Sequence, residues 1–312
     1  MVAQGLHFCA QRVVCLGWVD GGPALRQASI FEATEVGEMM AVNKIKASVL
    51  ALGLVFGLAG QASAALFDGG LPAGWTAVGN AGTLGADGVV TLAPSGGSQY
   101  GYVSTANGVN GVALPGVGGS GTGTDGSTLR SVVFSAAAGD DLKFFFNYVT
   151  SDGSGYADYA WARLLDSTQA QVALLFTART APSGSIVPGF SMPAPTATLT
   201  PSSVPIIGGN STWSALGVDS GSCYNGATAG CGYTGWVQSN YQIAAAGNYI
   251  LEFGVTNWQD TAYDSGLAFD GITIGGVVIG DPGNNVPEPA MLALLGMGLA
   301  GAAFAGRRRK AA

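Results

Sequence analysis

The chemistry available to this chain lies in its carboxylates, tyrosines, tryptophans and cysteines. Its 312 residues hold 19 Asp plus Glu, 12 Lys plus Arg, four cysteines and one histidine. The histidine is His7, so Ser-His-Asp triads, Cys-His pairs and His-ligated zinc lack their parts in the rest of the chain. Two carboxylates held roughly 5–9 Å apart can hydrolyse glycosidic bonds. Asp140, Asp141, Asp152, Asp158 and Glu252 fall near expected strand ends, but their spacing singles out no acid and base. No Gly-rich loop precedes a helix bearing a lysine, so nucleotide binding has no support. A net charge of −7 argues against a basic surface for nucleic acid.

Binding chemistry is better represented. Asn147 to Tyr159 reads as a hairpin tip rich in Asp and Tyr, and aromatic faces of this kind stack on sugar rings while Asp and Asn accept hydroxyl hydrogen bonds. Tyr156, Asp158, Trp236 and Trp258 are the candidate glycan contacts, the two tryptophans because they lie near Gly-rich or Asp-containing turns. The competing assignment is ordinary sandwich core with a polar turn. Cys223 and Cys231 stand eight positions apart around a segment of Gly, Ala, Asn and Thr, a spacing that predicts a disulfide closing a small loop in an oxidising compartment.

Both ends carry address signals. Lys44 and Lys46 precede an apolar run from Ala47 to Ala59 and then Ala62-Ser63-Ala64-Ala65. These are the three parts of a secretory signal peptide over residues 40–64, with Ala62, Ala64 and Ala65 forming the cleavage site. The run is shorter than the roughly 20 residues a membrane span needs. Residues 1–39 end in Glu32, Glu35 and Glu38, which do not suit a signal's basic start. They read as an upstream extension, with translation beginning at Met39 or Met40. On this reading His7, Cys9 and Cys15 are absent from the exported protein.

At the other end, Val286-Pro287-Glu288-Pro289 leads into an apolar run from Ala290 to Gly306 and then Arg307, Arg308, Arg309 and Lys310. As a helix the run spans about 26 Å, enough to cross a bilayer core with little tilt. The basic cluster is a cytoplasmic stop that keeps the preceding domain outside. Residues 286–312 resemble the PEP-CTERM sorting signal of Gram-negative bacteria. The resemblance implies exosortase as a partner, transient membrane engagement through the C-terminal helix, and cleavage near the motif. It also implies export to the outer surface or an exopolysaccharide matrix such as a biofilm. A plain C-terminal tail anchor is the alternative.

Between these signals, residues 65–285 form the exported domain, with four cationic and fourteen acidic side chains and a net charge of −10. Such a surface attracts cations rather than anionic polymers. Leu142, Phe144, Phe146 and Tyr148 alternate with other residues, as do Tyr159, Trp161, Arg163 and Leu165, which is the strand period. Further strands are expected over Val89–Leu92, Arg130–Ser135, Gln171–Thr177, Tyr249–Thr256, Gly266–Ile274 and Val277–Ile279, separated by Gly, Asp and Asn turns. The fold class is therefore all-β, an antiparallel β-sandwich, flanked by an N-terminal signal helix and a C-terminal transmembrane sorting helix. Asn107–Gly126 and Ala181–Asn210 are expected as surface loops of this one domain.

Phe67-Asp68-Gly69-Gly70-Leu71-Pro72-Ala73-Gly74-Trp75 and Gly266–Ile274 resemble the first and last strands of jelly-roll domains related to carbohydrate-binding modules. The resemblance implies that these strands pair beside a structural calcium, with Asp68 and Asp270 as ligands. Calcium takes six to eight oxygens, so backbone carbonyls or other aspartates would have to join them. Otherwise both are solvent-facing residues at strand ends. No other cofactor is expected. Together the readings describe a non-catalytic structural or glycan-associated surface protein. A dedicated carbohydrate-binding module and, below it, a polysaccharide-active enzyme are the alternatives.

Overall fold

Alternating apolar residues turn every second side chain of a strand to one side, and two such faces bury each other. The computed structural model describes residues 65–226 and 230–279, and it shows this arrangement with antiparallel pairing throughout. The first sheet holds β1 (Thr76–Val78), β5 (Gly123–Arg130), β16 (Gly247–Trp258), β8 (Tyr159–Asp166) and β9 (Gln171–Arg179), in that order. β4 (Val109–Asn110) pairs with β5, and β6 (Phe134–Ala136) with β16. The second runs β11 (Thr198–Thr200), β15 (Val237–Gln242), β7 (Asp141–Thr150), β17 (Ser265–Ile274), β3 (Tyr100–Ser104) and β2 (Asn80–Leu84). Around it, β14 (Gly232–Tyr233) pairs with β7 and with β13 (Ile207–Gly208), while β18 (Val277–Val278) pairs with β17. A separate two-stranded ribbon joins β10 (Ser185–Val187) to β12 (Val204–Pro205).

Phenylalanines join the sheets. Phe253 of β16 lies flat on Phe269 of β17 with ring centroids 3.8 Å apart, and Phe146 of β7 lies on Phe176 of β9 at the same distance. Phe144 meets Phe253 edge-on at 5.3 Å. Each fully buried ring contributes about 1.5–3 kcal/mol of transfer free energy.

The outer faces are covered too, so the long strands read as nearly continuous apolar runs rather than strict alternations. On the first sheet Gly254 leaves room for Trp161, since a Cβ there would lie 2.2 Å from the indole. On the second, Gly266 does the same for Trp213, whose Nε1 donates to Tyr100 Oη at 3.0 Å. Beside Trp161, fully buried Glu252 accepts from Arg130 Nε at 2.7 Å, Arg163 Nε at 2.5 Å and Trp161 Nε1 at 3.3 Å. Burial pushes the Glu252 carboxyl up, but hydrogen bonds and charge from Arg163, then from Arg130, outweigh it and hold it below its ordinary value.

Several expectations are corrected. Val89–Leu92 is not a strand. It makes one bridge, between Asp87 and Val90, and Val90 packs into the cluster around Trp213. Phe67–Trp75 is a run of turns whose Phe67 plugs the core edge-on to Phe269, and β17 pairs with β7 and β3 instead. Arg130–Ser135 is divided between β5 and β6. The two long loops carry β4 and β10 to β13. Their Leu114 and Met192 pack with Tyr159, Trp161, Leu174 and Trp258 on the first sheet's outer face.

The expected signal helix with Ala62 and Ala64, the sorting motif from Val286 to Pro289, the apolar run after it and the Arg307–Lys310 cluster lie outside the described residues. Among the described residues no helix is long and apolar enough to cross a membrane.

Replacing Arg163 with Met should leave Glu252 buried with one cation instead of two. A loss of about 1.5–3 kcal/mol is expected in urea unfolding.

Candidate functional site

One end of the sandwich gathers the polar and aromatic side chains. β7 reaches β8 through residues 151–158, and β16 reaches β17 through 259–264, both passing from one sheet to the other. The register sets Thr150 opposite Ser265 and Tyr159 opposite Thr256, so the two crossings stand side by side. Ser151 donates to Asp264 O through its backbone N at 3.1 Å and its Oγ at 2.8 Å. Asp158 accepts from Trp258 N at 2.7 Å and Ser265 Oγ at 2.6 Å, tying its own loop to both flanks of the other crossing.

A third loop, 217–226, closes over these two. Its Tyr224 N donates to Ser151 O at 3.0 Å, and Asp219 accepts from Asp264 N at 3.1 Å. The Cys223–Cys231 disulfide, expected from spacing, is present with a Cα–Cα distance of 5.8 Å, and it anchors the segment carrying Tyr224. Tyr156, Tyr224 and Tyr263 then form a row. Neighbouring rings meet edge to face with centroids 5.3 Å apart in both contacts. All three are half-buried. Tyr263 has φ +58°, a left-handed conformation that costs a non-glycine residue of order 1–3 kcal/mol and is worth reading as a functional sign.

A group of aspartates adjoins the tyrosines, Asp152 and Asp260 lying close enough for their charges to act on Tyr156. Asp152 accepts from Gly153 N at 2.6 Å, while its buried Oδ2 has no hydrogen-bond partner. Burial, with the Asp260 and Asp219 charges adding to it, pushes the Asp152 carboxyl up to about 8. Burial and then the neighbouring Asp152 charge drive fully buried Asp158 far above the usual carboxylate range. Asp264, which accepts from Thr105 Oγ1 at 2.8 Å, is pushed up to about 6, again chiefly by burial.

The candidate contacts thus separate. Tyr156 stands in the tyrosine row. Asp158 and Trp258 are buried, Asp158 because it ties the two crossings together and the Trp258 ring because it packs with Leu114, Tyr159 and Trp161. Trp258 also carries the Arg179 guanidinium 4.4 Å from its ring centroid and donates from Nε1 to Ser120 O at 3.1 Å. Trp236 is half-buried on the second sheet's outer face, donating to Thr91 O at 3.0 Å, away from the row. Tyr224, Tyr263 and Asp260 were missed. Their only sequence signals are the disulfide loop and the turn Gln259-Asp260-Thr261-Ala262-Tyr263-Asp264. The remaining carboxylates considered for hydrolysis are dispersed: Asp140 and Asp141 lie at the start of β7, and Glu252 is held in its ion pairs.

Asp68 and Asp270 do come together, at a cavity elsewhere on the domain that has a volume of 490 Å3. Asp68 Oδ1 accepts from Ser98 N at 2.7 Å and Gln99 N at 3.0 Å, and Asp270 Oδ2 accepts from Ser95 Oγ at 2.9 Å. Among the described residues no three His, Cys, Asp or Glu side chains are grouped so as to hold a metal ion. Two carboxylates supply only part of the six to eight oxygens that calcium takes.

The raised carboxyls make stability depend on pH. Asp152, Asp158 and Asp264 bind protons more tightly folded than unfolded, so their contribution is greatest near the unfolded carboxylate range and falls as pH rises. The loss runs through about 6 for Asp264 and about 8 for Asp152. Chemical denaturation at pH 5 and pH 9 should show the lower stability at pH 9. Asp152→Asn should narrow that difference.

No curated protein matches the chain in sequence. Similar solved structures include the K1 and K3 cleaved adhesin domains of Lys-gingipain from Porphyromonas gingivalis W83. Their identities are 13% and 12%, and the matches cover 66% and 67% of this chain and 93% and 94% of those chains, with TM-scores of 0.32 in both cases. The enzymatically active domain of tailspike protein 4 from bacteriophage CBA120 matches at 12% identity over 65% of this chain and 19% of that one, with a TM-score of 0.29. Residues 285–310 match the PEP-CTERM protein-sorting motif, which implies an exported protein that is processed by exosortase and anchored in the membrane before processing.

Proposed function

We propose that this is an exported, non-catalytic surface protein whose tyrosine row contacts neutral or amine-bearing glycans of the extracellular matrix. Residues 40–64 direct export and are cleaved after Ala64. The sorting segment then passes the domain to exosortase, and the basic cluster from Arg307 to Lys310 stays cytoplasmic. The observation that carries the sorting part is the motif match at residues 285–310.

The glycan part is supported by three half-buried tyrosines converging from three loops onto one patch, with Asp260 and Asp219 beside them to accept hydroxyl or ammonium hydrogen bonds. An acidic domain repels anionic polymers, which narrows the class of sugar. The buried state of Asp158 and the ion pairs of Glu252 favour binding over hydrolysis.

Two measurements test this reading. Affinity electrophoresis of the exported protein in gels containing the host's exopolysaccharide should show retardation. Tyr224→Ala should weaken it about tenfold, and Trp236→Ala should leave it unchanged. Equal mobility with and without polysaccharide would remove the glycan role and leave a structural one. For sorting, replacing Pro287 and Glu288 with Ala should leave an unprocessed, membrane-retained form in cell fractions. Unchanged size and location would overturn the exosortase assignment.

A further inference from the structure

We propose that the cavity between Asp68 and Asp270 is an ammonium site, and that its ligand is the chain's own N-terminus at Ala65. The inference rests on the reading that the signal is cleaved after Ala64. There, a signal peptidase adds water across the Ala64–Ala65 peptide bond. Ala64 leaves as a carboxylate, and Ala65 acquires an α-amine that takes up a proton.

Ala65 lines the cavity together with Leu66, Asp68, Ser95, Gly97 and Asp270. A Cβ built on Gly97 would stand 2.5 Å from Ala65 Cβ and 3.0 Å from Asp68 Oδ1, so Ala65 and that carboxylate flank the same glycine at the cavity wall. The turn is closed by Asp68 N donating to Ala65 O at 3.1 Å, which holds Ala65 next to Asp68. The backbone N–H of Ser98 holds the Asp68 carboxyl below its usual range, so it is an anion at neutral pH. Asp270 is 1% exposed, and its carboxyl is raised by burial, with Asp68's charge adding to the shift. A cation between them would relieve both effects.

The cations of the domain are committed elsewhere. Arg130 and Arg163 pair with Glu252, Lys143 pairs with Asp141, and Arg179 stacks on Trp258. Two carboxylates are too few for calcium but suffice for one ammonium group with its three donors. Before cleavage the same nitrogen is a neutral amide with one donor. Processing would therefore add an ion pair that the precursor cannot make, and stabilise the domain once it has been exported.

Intact-mass and N-terminal analysis of the exported protein comes first, followed by acetylation of the unfolded protein at about pH 6.5, where the α-amine reacts ahead of Lys143, then refolding and intact-mass confirmation of a single acetyl group. Acetylation should lower the melting temperature by about 2–4 °C, and by much less in Asp270→Asn or, should that variant fail to fold, in Asp68→Asn. An N-terminus other than Ala65 would overturn both the cleavage reading and this proposal. Ala65 at the terminus with a melting temperature indifferent to acetylation would overturn the proposal alone. Sensitivity to a chelator but not to acetylation would overturn it in favour of a bound metal cation.

Discussion

Phe253 lying flat on Phe269 is the contact on which the rest of the domain depends. The two rings sit on the central strands of opposite sheets, with planes 1° apart, and so hold the sheets at a single separation and register. Sheets packed face to face stand about 10 Å apart, and a gap of that depth filled by paired aromatic rings leaves little freedom to slide. Because β16 and β17 are consecutive, the same contact fixes where the intervening crossing, 259–264, leaves one sheet and enters the other. The position of Asp260, Tyr263 and Asp264 follows from it.

A second constraint is the shortage of cations. All four basic side chains of the exported domain are engaged in ion pairs or stacked on an aromatic ring. The carboxylates of the loop end and of the Asp68–Asp270 cavity are left to hydrogen-bond donors. Asp158 and Asp264 find such donors, whereas Asp152 keeps one buried oxygen without any. Burying carboxylates this way costs stability, which natural domains tolerate mainly where the arrangement serves binding or positioning. Both carboxylate groups occur at places where separate segments of the chain meet, Asp270 reaching its site from within β17 and the others from loops and turns.

Much of the sandwich was legible because its strands announce themselves locally. The period-two runs of β7 and β8 and the apolar stretches of β9, β16 and β17 stand close to their expected limits. Tyr100–Ser104 and Val237–Gln242 were harder to read: Ser, Gly, Asn and Gln dilute their apolar pattern, and pairing with long neighbours rather than propensity makes them strands. Val89–Leu92 erred the other way. It has strand-like residues but covers Trp213, and cover for an outer face needs apolar side chains without needing a ladder.

The sequence by itself determined the sorting signal, the all-β class and the disulfide, since each rests on residue types within a short window. Only the tertiary structure decided which tyrosines share a face, that Asp158 and Trp258 are buried, and that Asp68 and Asp270 meet at one cavity. Those outcomes depend on register between strands more than a hundred positions apart and on which loop covers which face, and neither quantity is encoded in any local run of residues.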